Sequence, residues 1–488
     1  MLHIEISVSS KAPPISLGSA ALPIPEESVY GLSSGKRGYG RYSLRVTPES
    51  HERWWPAAKS FKPRVDRLTT FAKNDLQRLT ADGYILFGTR VIRLFAYGFL
   101  SVVLVLYLAQ LRLGQGLIGL LLSLTLIGDA AISLWMTTSA DRVGRRLILM
   151  AGAGLMLFAG VLFAVTDKLA LLLIAAIIGV ISPSGYEVGP FLSVEQAALS
   201  QIVPDGLRTQ VFAWYNLVGS FATATGALCG GGLTELLQHA GFLPLSSYRT
   251  VLVLYGVMGV LLAALFTQLS PEIEAVHSDG PKTPTRFGLH RSRGIVLKLS
   301  TLFGLDAFAG GFVVQSLVAY WFHIRFGIEP AALGGIFFGA NILAGISALA
   351  AAWVAARIGL VNTMVFTHLP SNILLMLVPL MPNLPSAIVV LFARFAISQM
   401  DVPARQSYTM AVVAPDERSA AAGVTGIARS IGAAISPTIA GAFLGNPALL
   451  GVPFFVAGSL KVIYDILLYR SFRQVKSAIA NRQRPGKD

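Results

Sequence analysis

Twelve long apolar runs follow one another from Tyr84 almost to the end of the chain. Each run is long enough to cross about 30 Å of hydrocarbon at about 1.5 Å of helix rise per residue. The sequence therefore predicts an all-α membrane protein with twelve transmembrane helices. These predicted helices, called spans 1 to 12, cover approximately residues 84–109, 115–137, 147–166, 169–200, 210–235, 249–269, 297–324, 331–356, 361–381, 385–413, 420–444 and 450–469. Proline, glycine and charged residues heavily interrupt only spans 4 and 10.

The composition excludes an ordinary soluble protein. Of the 488 residues, 54% are hydrophobic and 13% are charged, and the mean hydropathy is +0.63. Soluble proteins carry about a quarter charged residues. The single cysteine, Cys229, excludes an internal disulfide and a thiolate metal cluster, and the seven histidines fall at no metal-ligand spacing. We therefore expect no metal and no other cofactor.

The net charge of +14 reflects membrane topology rather than nucleic-acid binding. If the amino terminus lies inside, the inner loops carry eleven basic residues and the outer loops four. The inner residues are Arg142, Arg145, Arg146, Arg208, Lys282, Arg286, Arg291, Arg293, Lys298, Arg357 and Arg418, and the outer ones are Arg112, Lys168, Arg249 and Arg325. This asymmetry predicts a multi-pass protein with both termini in the cytoplasm. The plasma membrane is favoured over an internal membrane, and the sequence is compatible with either.

The chain divides into two halves between tails. Residues 1–80 are interpreted as a mostly disordered basic tail and residues 470–488 as a second basic tail. A transit peptide is the alternative for the first tail, although such peptides avoid acidic residues and this one contains several. Residues 84–269 and 297–469 form the two six-helix halves, and the proline-containing segment 270–296 links them.

An internal repeat supports this division. The loop Asp141-Arg142-Val143-Gly144-Arg145-Arg146 after span 2 is matched by Ala356-Arg357-Ile358-Gly359 after span 8. Pro204-Asp205 and Arg208 after span 4 are matched by Pro415-Asp416-Glu417-Arg418 after span 10, 211 residues later. Small residues at 226–231 in span 5 align with those at 436–441 in span 11. Three matches at nearly one offset indicate that the halves are copies.

Over roughly residues 84–470, these features resemble the major facilitator superfamily. Its G-x-x-x-D-R-x-G-R-R motif is matched by Asp141, Arg142, Gly144, Arg145 and Arg146, while Thr137 replaces the first glycine. The resemblance implies two pseudo-symmetric six-helix halves around a central cavity lined by spans 1, 4, 7 and 10. It also implies that the five motif residues contribute to gating. The alternative is that their charges only anchor the loop on the inner side.

Span 5 bears on the direction of transport. The family's antiporter motif G-x-x-x-G-P-x-x-G-G is approached by Ala222, Gly226, Ala227, Gly230 and Gly231, but its proline is missing. Export is therefore only slightly favoured over uptake. The alternative is that these glycines simply allow two helices to approach closely.

Ionisable residues inside a membrane need a partner, water or a task. The four cavity-lining spans contain Arg90, Arg93, Glu187, Glu195, Asp306, Arg394, Asp401 and Arg405, which predicts a polar, nearly neutral cavity. Arg394, Ser398, Asp401 and Arg405 share one face of span 10. Asp401 and Arg405 either form an internal ion pair or, together with Arg394 and Gln406, contribute to substrate binding, in which an arginine would bind an anionic group.

The carboxylates are candidates for proton coupling. Glu187 and Glu195 come first, because Pro183, Gly185 and Pro190 interrupt span 4 next to them. Asp129 in span 2 and Asp306 in span 7 come next. Asp129 has the alternative of pairing with Arg90 or Arg93, which otherwise extend toward the inner membrane surface. Lys461 and Asp465, four residues apart in span 12, are predicted to form a structural pair.

The leading functional hypothesis is a secondary transporter for a small solute, coupled to protons and acting as a monomer in the bilayer. No G-x-x-x-x-G-K-[ST] loop is found, which argues against direct drive by ATP. No local motif brings together a nucleophile, a base and an orienting group, so an enzyme is not favoured. The alternative from another class is a sensor or receptor that kept the transporter fold without transport.

Overall fold

A computed structural model describes residues 79–187, 191–274, 291–414 and 417–473. The predicted tail over residues 1–78, most of the predicted linker and the chain after residue 473 lie outside the described residues, as do Pro190, Pro415 and Asp416. Asp141, Asp205 and Arg208 are described for their backbone alone.

The described chain is a series of helices. In order they are α1 (Ala81–Ser101), α2 (Leu104–Gln110), α3 (Gln115–Val143), α4 (Arg145–Val165), α5 (Leu169–Ile178), α6 (Phe191–Ile202), α7 (Asp205–His239), α8 (Pro244–Phe266), α9 (Arg293–Gly311), α10 (Gln315–Phe326), α11 (Pro330–Ile358), α12 (Leu360–Leu377), α13 (Leu384–Ser398), α14 (Asp401–Val412), α15 (Arg418–Leu444) and α16 (Val452–Phe472). Within the described ranges, ten helical segments are long and apolar enough to cross a membrane by length and composition. The other two predicted spans are span 4, whose halves α5 and α6 are short, and α7, which is rich in small and polar residues.

Four of the twelve spans are interrupted. Span 1 consists of α1 and α2, span 4 of α5 and α6, span 7 of α9 and α10, and span 10 of α13 and α14. The sequence predicted the interruptions of spans 4 and 10 but not those of spans 1 and 7, which contain no proline at the break. The four broken helices are those that the resemblance assigns to the cavity.

The interruptions are satisfied by contacts between the halves. In span 7, the Val313 N–H donates to the carbonyl of Gly310 (3.1 Å), so the helix tightens before it ends. The Ser316 N–H then donates to the carbonyl of Pro183 in the break of span 4 (3.1 Å). The Gln315 side-chain amide donates to Ser101 at the break of span 1 (2.7 Å). Such irregular backbone is tolerated at membrane depth because it is buried in protein.

Helix packing follows the repeat. Span 1 packs on span 5 as span 7 packs on span 11, and span 3 packs on span 6 as span 9 packs on span 12. Spans 2 and 11, and spans 5 and 8, join the two halves. The turns repeat as well, because Gly144 and Gly359 after spans 2 and 8 have φ of 110° and 85°, and Arg112 and Gly327 before spans 2 and 8 have φ of 60° and 65°. This arrangement confirms the predicted fold class of two six-helix halves.

Two glycine contacts hold the halves together at one face. We call the face on which α1 begins and α16 ends the tail face, and the opposite one the far face. A Cβ atom on Gly231 of span 5 would lie 2.1 Å from the carbonyl oxygen of Pro330 in span 8. A Cβ atom on Gly441 of span 11 would lie 2.4 Å from the carbonyl oxygen of Gln115 in span 2. Both contacts lie near helix ends on the far face, where only glycine permits this approach.

Candidate functional site

A cavity of about 390 Å³ lies between the two halves at the level of the helix interruptions. Ser184, Tyr186 and Glu187 line it from the break of span 4, and Gln315 and Gln399 line it from spans 7 and 10. Its other ionisable lining residues are Asp129, Asp306, Arg394, Arg429 and Lys461. Its apolar lining includes Val318, Phe337, Leu391, Phe395 and Phe454. The volume of this cavity and its mixture of polar and apolar lining residues are typical of a site that binds a small molecule.

The first half contains a four-residue arginine–glutamate cluster formed by Arg90, Arg93, Glu187 and Glu195. The Arg93 guanidinium donates two hydrogen bonds of 2.6 Å to the Glu195 carboxylate and one of 2.8 Å to Glu187. Arg90 donates to the other oxygen of Glu187 at 2.7 Å. Each arginine therefore contacts Glu187, and Arg93 binds Glu195 as a two-pronged fork, the strong geometry for this pair.

Neutral groups complete this cluster. Glu195 also accepts hydrogen bonds from the hydroxyls of Thr89 (3.1 Å) and Tyr215. Arg90 donates to the Tyr215 carbonyl (2.7 Å) and to the Asn216 side chain (3.1 Å), and it lies over the Tyr215 ring at 4.2 Å. Glu195 and Arg93 are fully buried. The cluster is electrically neutral and its charged groups have abundant partners.

These contacts correct one expectation for span 1. Arg90 and Arg93 do not extend to the membrane surface, because both are buried inside the first half. Their ion-pair partners are Glu187 and Glu195. Asp129 lines the cavity and accepts a 3.4 Å hydrogen bond from Ser133. Of the four predicted proton-coupling residues, Glu187, Asp129 and Asp306 line the cavity, while Glu195 lies behind it.

The second half is organised around Asp306. One carboxylate oxygen lies 2.5 Å from the Lys461 ammonium and the other 3.1 Å from the Arg405 guanidinium. Arg405 also lies 3.2 Å from Asp401, one turn earlier on α14. The local ion pair considered for span 10 is therefore present. Asp401 and Arg405 are buried, and neither they nor the exposed Gln406 are among the residues that line the cavity.

The predicted pair of Lys461 and Asp465 is wrong. Lys461 contacts Asp306 in span 7, and Asp465 accepts hydrogen bonds from the Asn372 amide (2.9 Å) and contacts the His368 ring (2.9 Å). The two residues share a helix face by spacing, but partners on neighbouring helices replace the local contact. His368 was missed by the sequence reasoning, and its position inside an apolar run was the available signal.

Two arginines that line the cavity differ from Arg90, Arg93 and Arg405, which form ion pairs. Arg394 of α13 and Arg429 of α15 line the cavity, and neither has a hydrogen bond or ion pair within the part of the chain that the structure describes. The Arg394 Nε atom is buried without a hydrogen-bond partner. Arg394 was predicted as a cavity residue. Arg429 was not, because only spans 1, 4, 7 and 10 were assigned to the cavity.

Comparison with known proteins decides the family. The family model described as Major Facilitator Superfamily matches residues 86–437. The chain belongs to the major facilitator superfamily. An uncharacterized membrane protein of Saccharomyces cerevisiae, YJR124C, is 30% identical over 427 residues, covering 81% of this chain and 95% of the yeast protein.

Solved structures agree on the major facilitator fold. A bacterial homologue of the human lysosomal transporter Spinster, in an inward-facing and unoccupied conformation, matches with a TM-score of 0.61 and 16% identity, covering 83% of this chain and 98% of its own. A D-xylose–proton symporter matches with a TM-score of 0.62 and 15% identity, covering 80% and 97%. The chain is therefore a multi-pass membrane protein with the architecture of a transporter, and this family is not one of enzymes in the usual sense.

The major facilitator motif after span 2 forms a tight turn bound to the end of its own half. Gly144 has φ of 110°, which favours glycine, and the backbone N–H groups of Arg145 and Arg146 donate to Glu274 at 2.6 and 3.2 Å. The Arg145 guanidinium donates to Gln201 and to the carbonyl of Ile273, both at 2.9 Å. Arg142 is exposed. The gating role of these residues and of Asp141, whose side chain lies outside the description, remains a prediction.

The glycines of span 5 are used for helix packing. A Cβ atom on Gly226 would lie 2.0 Å from the Phe95 carbonyl oxygen, and one on Gly230 would lie 2.1 Å from that of Phe99. Span 1 thus lies directly against the backbone of span 5. This packing accounts for these two glycines without reference to the direction of transport.

Proposed function

We propose that this protein is a secondary active transporter that moves a small solute by alternating access. The observation that carries the proposal is the cavity, which lies between two repeated halves and is lined from the breaks of spans 4, 7 and 10. In this architecture a solute binds near the bilayer midplane, and the two halves rock around it.

The far-face contacts supply the closed side of this cycle. Gly231 and Gly441 press against the opposite half, and the Ala331 N–H donates to Glu235 at 3.0 Å across the same interface. Opening the far face requires these contacts to separate as a unit. The likeness to an inward-facing structure supports a conformation whose cavity opens toward the tail face. In this proposal the tail face is cytoplasmic, as the basic loops predict.

Proton coupling is proposed through the carboxylates that reach the cavity. Glu187 is the leading candidate, because it lies at a helix interruption, lines the cavity and contacts both Arg90 and Arg93. A proton on Glu187 would remove the charge that both arginines share. Asp129 and Asp306 also line the cavity, whereas proton uptake by Glu195 would have to break its fork with Arg93. One structural neighbour is a proton symporter, which is consistent with coupling in this fold.

Export across the plasma membrane is the proposed direction and location. The direction rests on the partial antiporter motif of span 5. The chain would act as a monomer, since both halves of a single chain line the cavity.

A flux assay in liposomes tests this function. The purified full chain is reconstituted, a panel of small organic solutes is screened, and uptake is compared with and without a pH gradient. We expect solute flux that falls to the level of protein-free vesicles when a protonophore collapses the gradient. Flux that is unaffected by the protonophore would exclude proton coupling, and absence of flux for every solute would contradict transport.

A matched pair of variants locates the coupling residue. Glu187→Gln should leave solute exchange intact and abolish the response to the pH gradient. Glu272→Gln removes an exposed carboxylate outside the cavity and should behave as the unaltered protein. Full coupling in Glu187→Gln would remove Glu187 from the mechanism.

A further inference from the structure

We infer that Arg394 and Arg429 form a binding subsite for a small organic anion, a molecule with a carboxylate or phosphate group on an apolar body. The inference rests on the proposed function in one respect, namely that the solute binds in this cavity. It adds the chemical class of the solute and the two residues that select it.

Two carboxylates of the cavity lining already have cationic partners within the protein. Glu187 is bound by Arg90 and Arg93, and Asp306 is bound by Lys461 and Arg405. Three of those four cations stand behind the cavity wall and neutralise these carboxylates from the protein side. Arg394 and Arg429 face the cavity with no carboxylate within 4.0 Å in the described ranges. The cavity therefore offers two guanidinium groups whose charges are left for a ligand.

Arg394 and Arg429 are energetically costly in the absence of a ligand. A cation held in protein at membrane depth is costly unless it has a partner or water. The Arg394 guanidinium lies over the ring of its chain neighbour Phe395, 4.9 Å from the centroid, and its Nε atom is buried without a hydrogen-bond acceptor. The charged neighbours of Arg429 include a second cation, Arg405, and the carboxylates of Asp306 and Asp401, each of which already contacts another cation. An incoming anion would offset both charges and supply the missing acceptor.

The cavity fits a ligand with an anionic head group and a short apolar body. Guanidinium groups bind carboxylate and phosphate through paired, parallel hydrogen bonds to two oxygen atoms. An ammonium accepts no hydrogen bond, and an amide offers a single uncharged acceptor oxygen. The remaining wall near them is largely apolar and includes Phe337, Phe395 and Phe454. A volume of about 390 Å³ suits a molecule with one such head group and a short apolar body, rather than a bare inorganic ion or a peptide.

A cationic solute fits the same cavity less well. Glu187 and Asp306 are occupied by the protein's own cations, so an incoming cation would have to displace an arginine or a lysine. Asp129 also lines the cavity and is the lining carboxylate that belongs to neither of these two sets of contacts. Asp129→Asn is therefore the variant that would abolish binding if the cavity were built for cations.

A series of probes with different head groups tests the chemical class of the ligand on the unaltered protein. Purified full chain is titrated with four probes in which a phenyl ring is joined to a four-carbon chain that ends in the head group, and binding is followed by thermal stabilisation and calorimetry. The probes are 4-phenylbutyrate, 4-phenylbutyl phosphate, 4-phenylbutanamide and 4-phenylbutylammonium. We expect saturable binding of at least one anion, and affinities for the amide and the ammonium at least tenfold weaker. Equal or tighter binding of the ammonium or the amide would overturn the inference. The comparison of carboxylate with phosphate tells which anionic group is preferred.

Variants then test the subsite. Arg394→Gln and Arg429→Gln should each weaken binding of the anion by roughly 10- to 100-fold, the loss typical of one charged hydrogen-bonding partner. Arg394→Lys and Arg429→Lys keep the charge without the fork and should give intermediate affinities, which also covers the case in which a glutamine variant fails to fold. The control Arg325→Gln removes one exposed positive charge outside the cavity and should bind as the unaltered protein. Unchanged affinity in the glutamine or lysine variants would overturn the assignment of these residues.

The outcomes separate this inference from the proposed function. Anion binding without flux in the liposome assay would leave the subsite standing and contradict transport. Flux of a cationic solute, sensitive to Asp129→Asn and unaffected by Arg394→Gln, would leave transport standing and overturn the subsite.

Discussion

The two halves place similar numbers of charges beside the cavity but treat them differently. In the first half, two arginines and two glutamates form a closed set in which each charged group contacts an opposite charge. In the second half, Asp306 is shared by Lys461 and Arg405, while Arg394 and Arg429 have no such contact in the described residues. A saturated cluster fixes three helices together, whereas unpaired cations are available to a ligand. In the proposed mechanism, the closed cluster stabilises the first half, and the solute's anionic group binds the arginines of the second half.

The largest effect is expected from removing one member of the closed cluster. Arg93→Gln would leave the fully buried Glu195 without a cation, and breaking a buried pair in this way typically costs about 3–5 kcal/mol. The free energy of unfolding in mixed detergent micelles measures the change.

The same substitution in the second half is the matched comparison. Arg394→Gln removes a cation with no ion pair in the described residues, so the free energy of unfolding without ligand should stay unchanged or rise by about 1 kcal/mol. Similar destabilisation in Arg93→Gln and Arg394→Gln would contradict the distinction between a closed and an open cluster.

A smaller effect is expected where the halves touch. Gly231→Ala would place a methyl group 2.1 Å from the Pro330 carbonyl oxygen, and such overpacking costs about 1–3 kcal/mol against the closed far face. A cysteine at position 315, introduced as Gln315→Cys in a Cys229→Ser background, should then react faster with a membrane-impermeant maleimide added on the far-face side of proteoliposomes. Gly232→Ala is the neighbouring control, since a Cβ atom there meets nothing within 4 Å. Equal reaction rates in the two variants would show that the glycine contact does not hold the face closed.

Each half contains a carboxylate that caps the amino terminus of a helix. Glu274 accepts the N–H groups of Arg145 and Arg146, and Glu417 accepts those of Arg291 and Ser292 at 2.6 and 2.8 Å. Glu417→Gln should lower the free energy of unfolding by about 1–2 kcal/mol, because the site is buried and the lost charge faces a helix amino terminus. Glu274→Gln, at a less buried site, should cost less. Unfolding curves of both variants beside Glu272→Gln measure the difference, and no loss in Glu417→Gln would exclude the cap.

The smallest effect distinguishes the two equivalent turns. Arg112 adopts φ of 60° where the second half has Gly327 at 65°. Arg112→Gly should raise the free energy of unfolding by roughly 0.4–1 kcal/mol, because glycine adopts this backbone without strain. Gly327→Arg should lower it. Destabilisation by Arg112→Gly would show that the arginine side chain contributes more than the backbone strain.

The sequence was sufficient to predict the spans and the repeat because both follow from patterns of residues that are local in the chain. Apolar length gives each span, and the tight turns recur where the loop motifs recur, as at Gly144 and Gly359. The interruption of span 1 was not predictable, since residues 101–103 contain neither glycine nor proline and the break is stabilised by Gln315 from the other half.

The pairing of charges was harder to predict than their presence. Local spacing identified Asp401 with Arg405, but it also suggested Lys461 with Asp465, and the true partner of Lys461 is Asp306, 155 residues away. Arg93 and Glu195 are 102 residues apart. Such partners depend on which helices pack together, which no local pattern contains. Arg429 was overlooked for the same reason, because the position of span 11 beside the cavity follows from its packing on spans 7 and 2.

The most direct test of alternating access is a pair of distance measurements in lipid. Spin labels are placed on the tail face at Thr267 and Arg470, and in a second sample on the far face at Leu243 and Arg325, all exposed positions in opposite halves, in a Cys229→Ser background. Distances are recorded with and without 4-phenylbutyrate, at neutral and acidic pH. The account predicts that the tail-face distance shortens under conditions in which the far-face distance lengthens. Distances that stay fixed in every condition, or that change in the same sense, would contradict it.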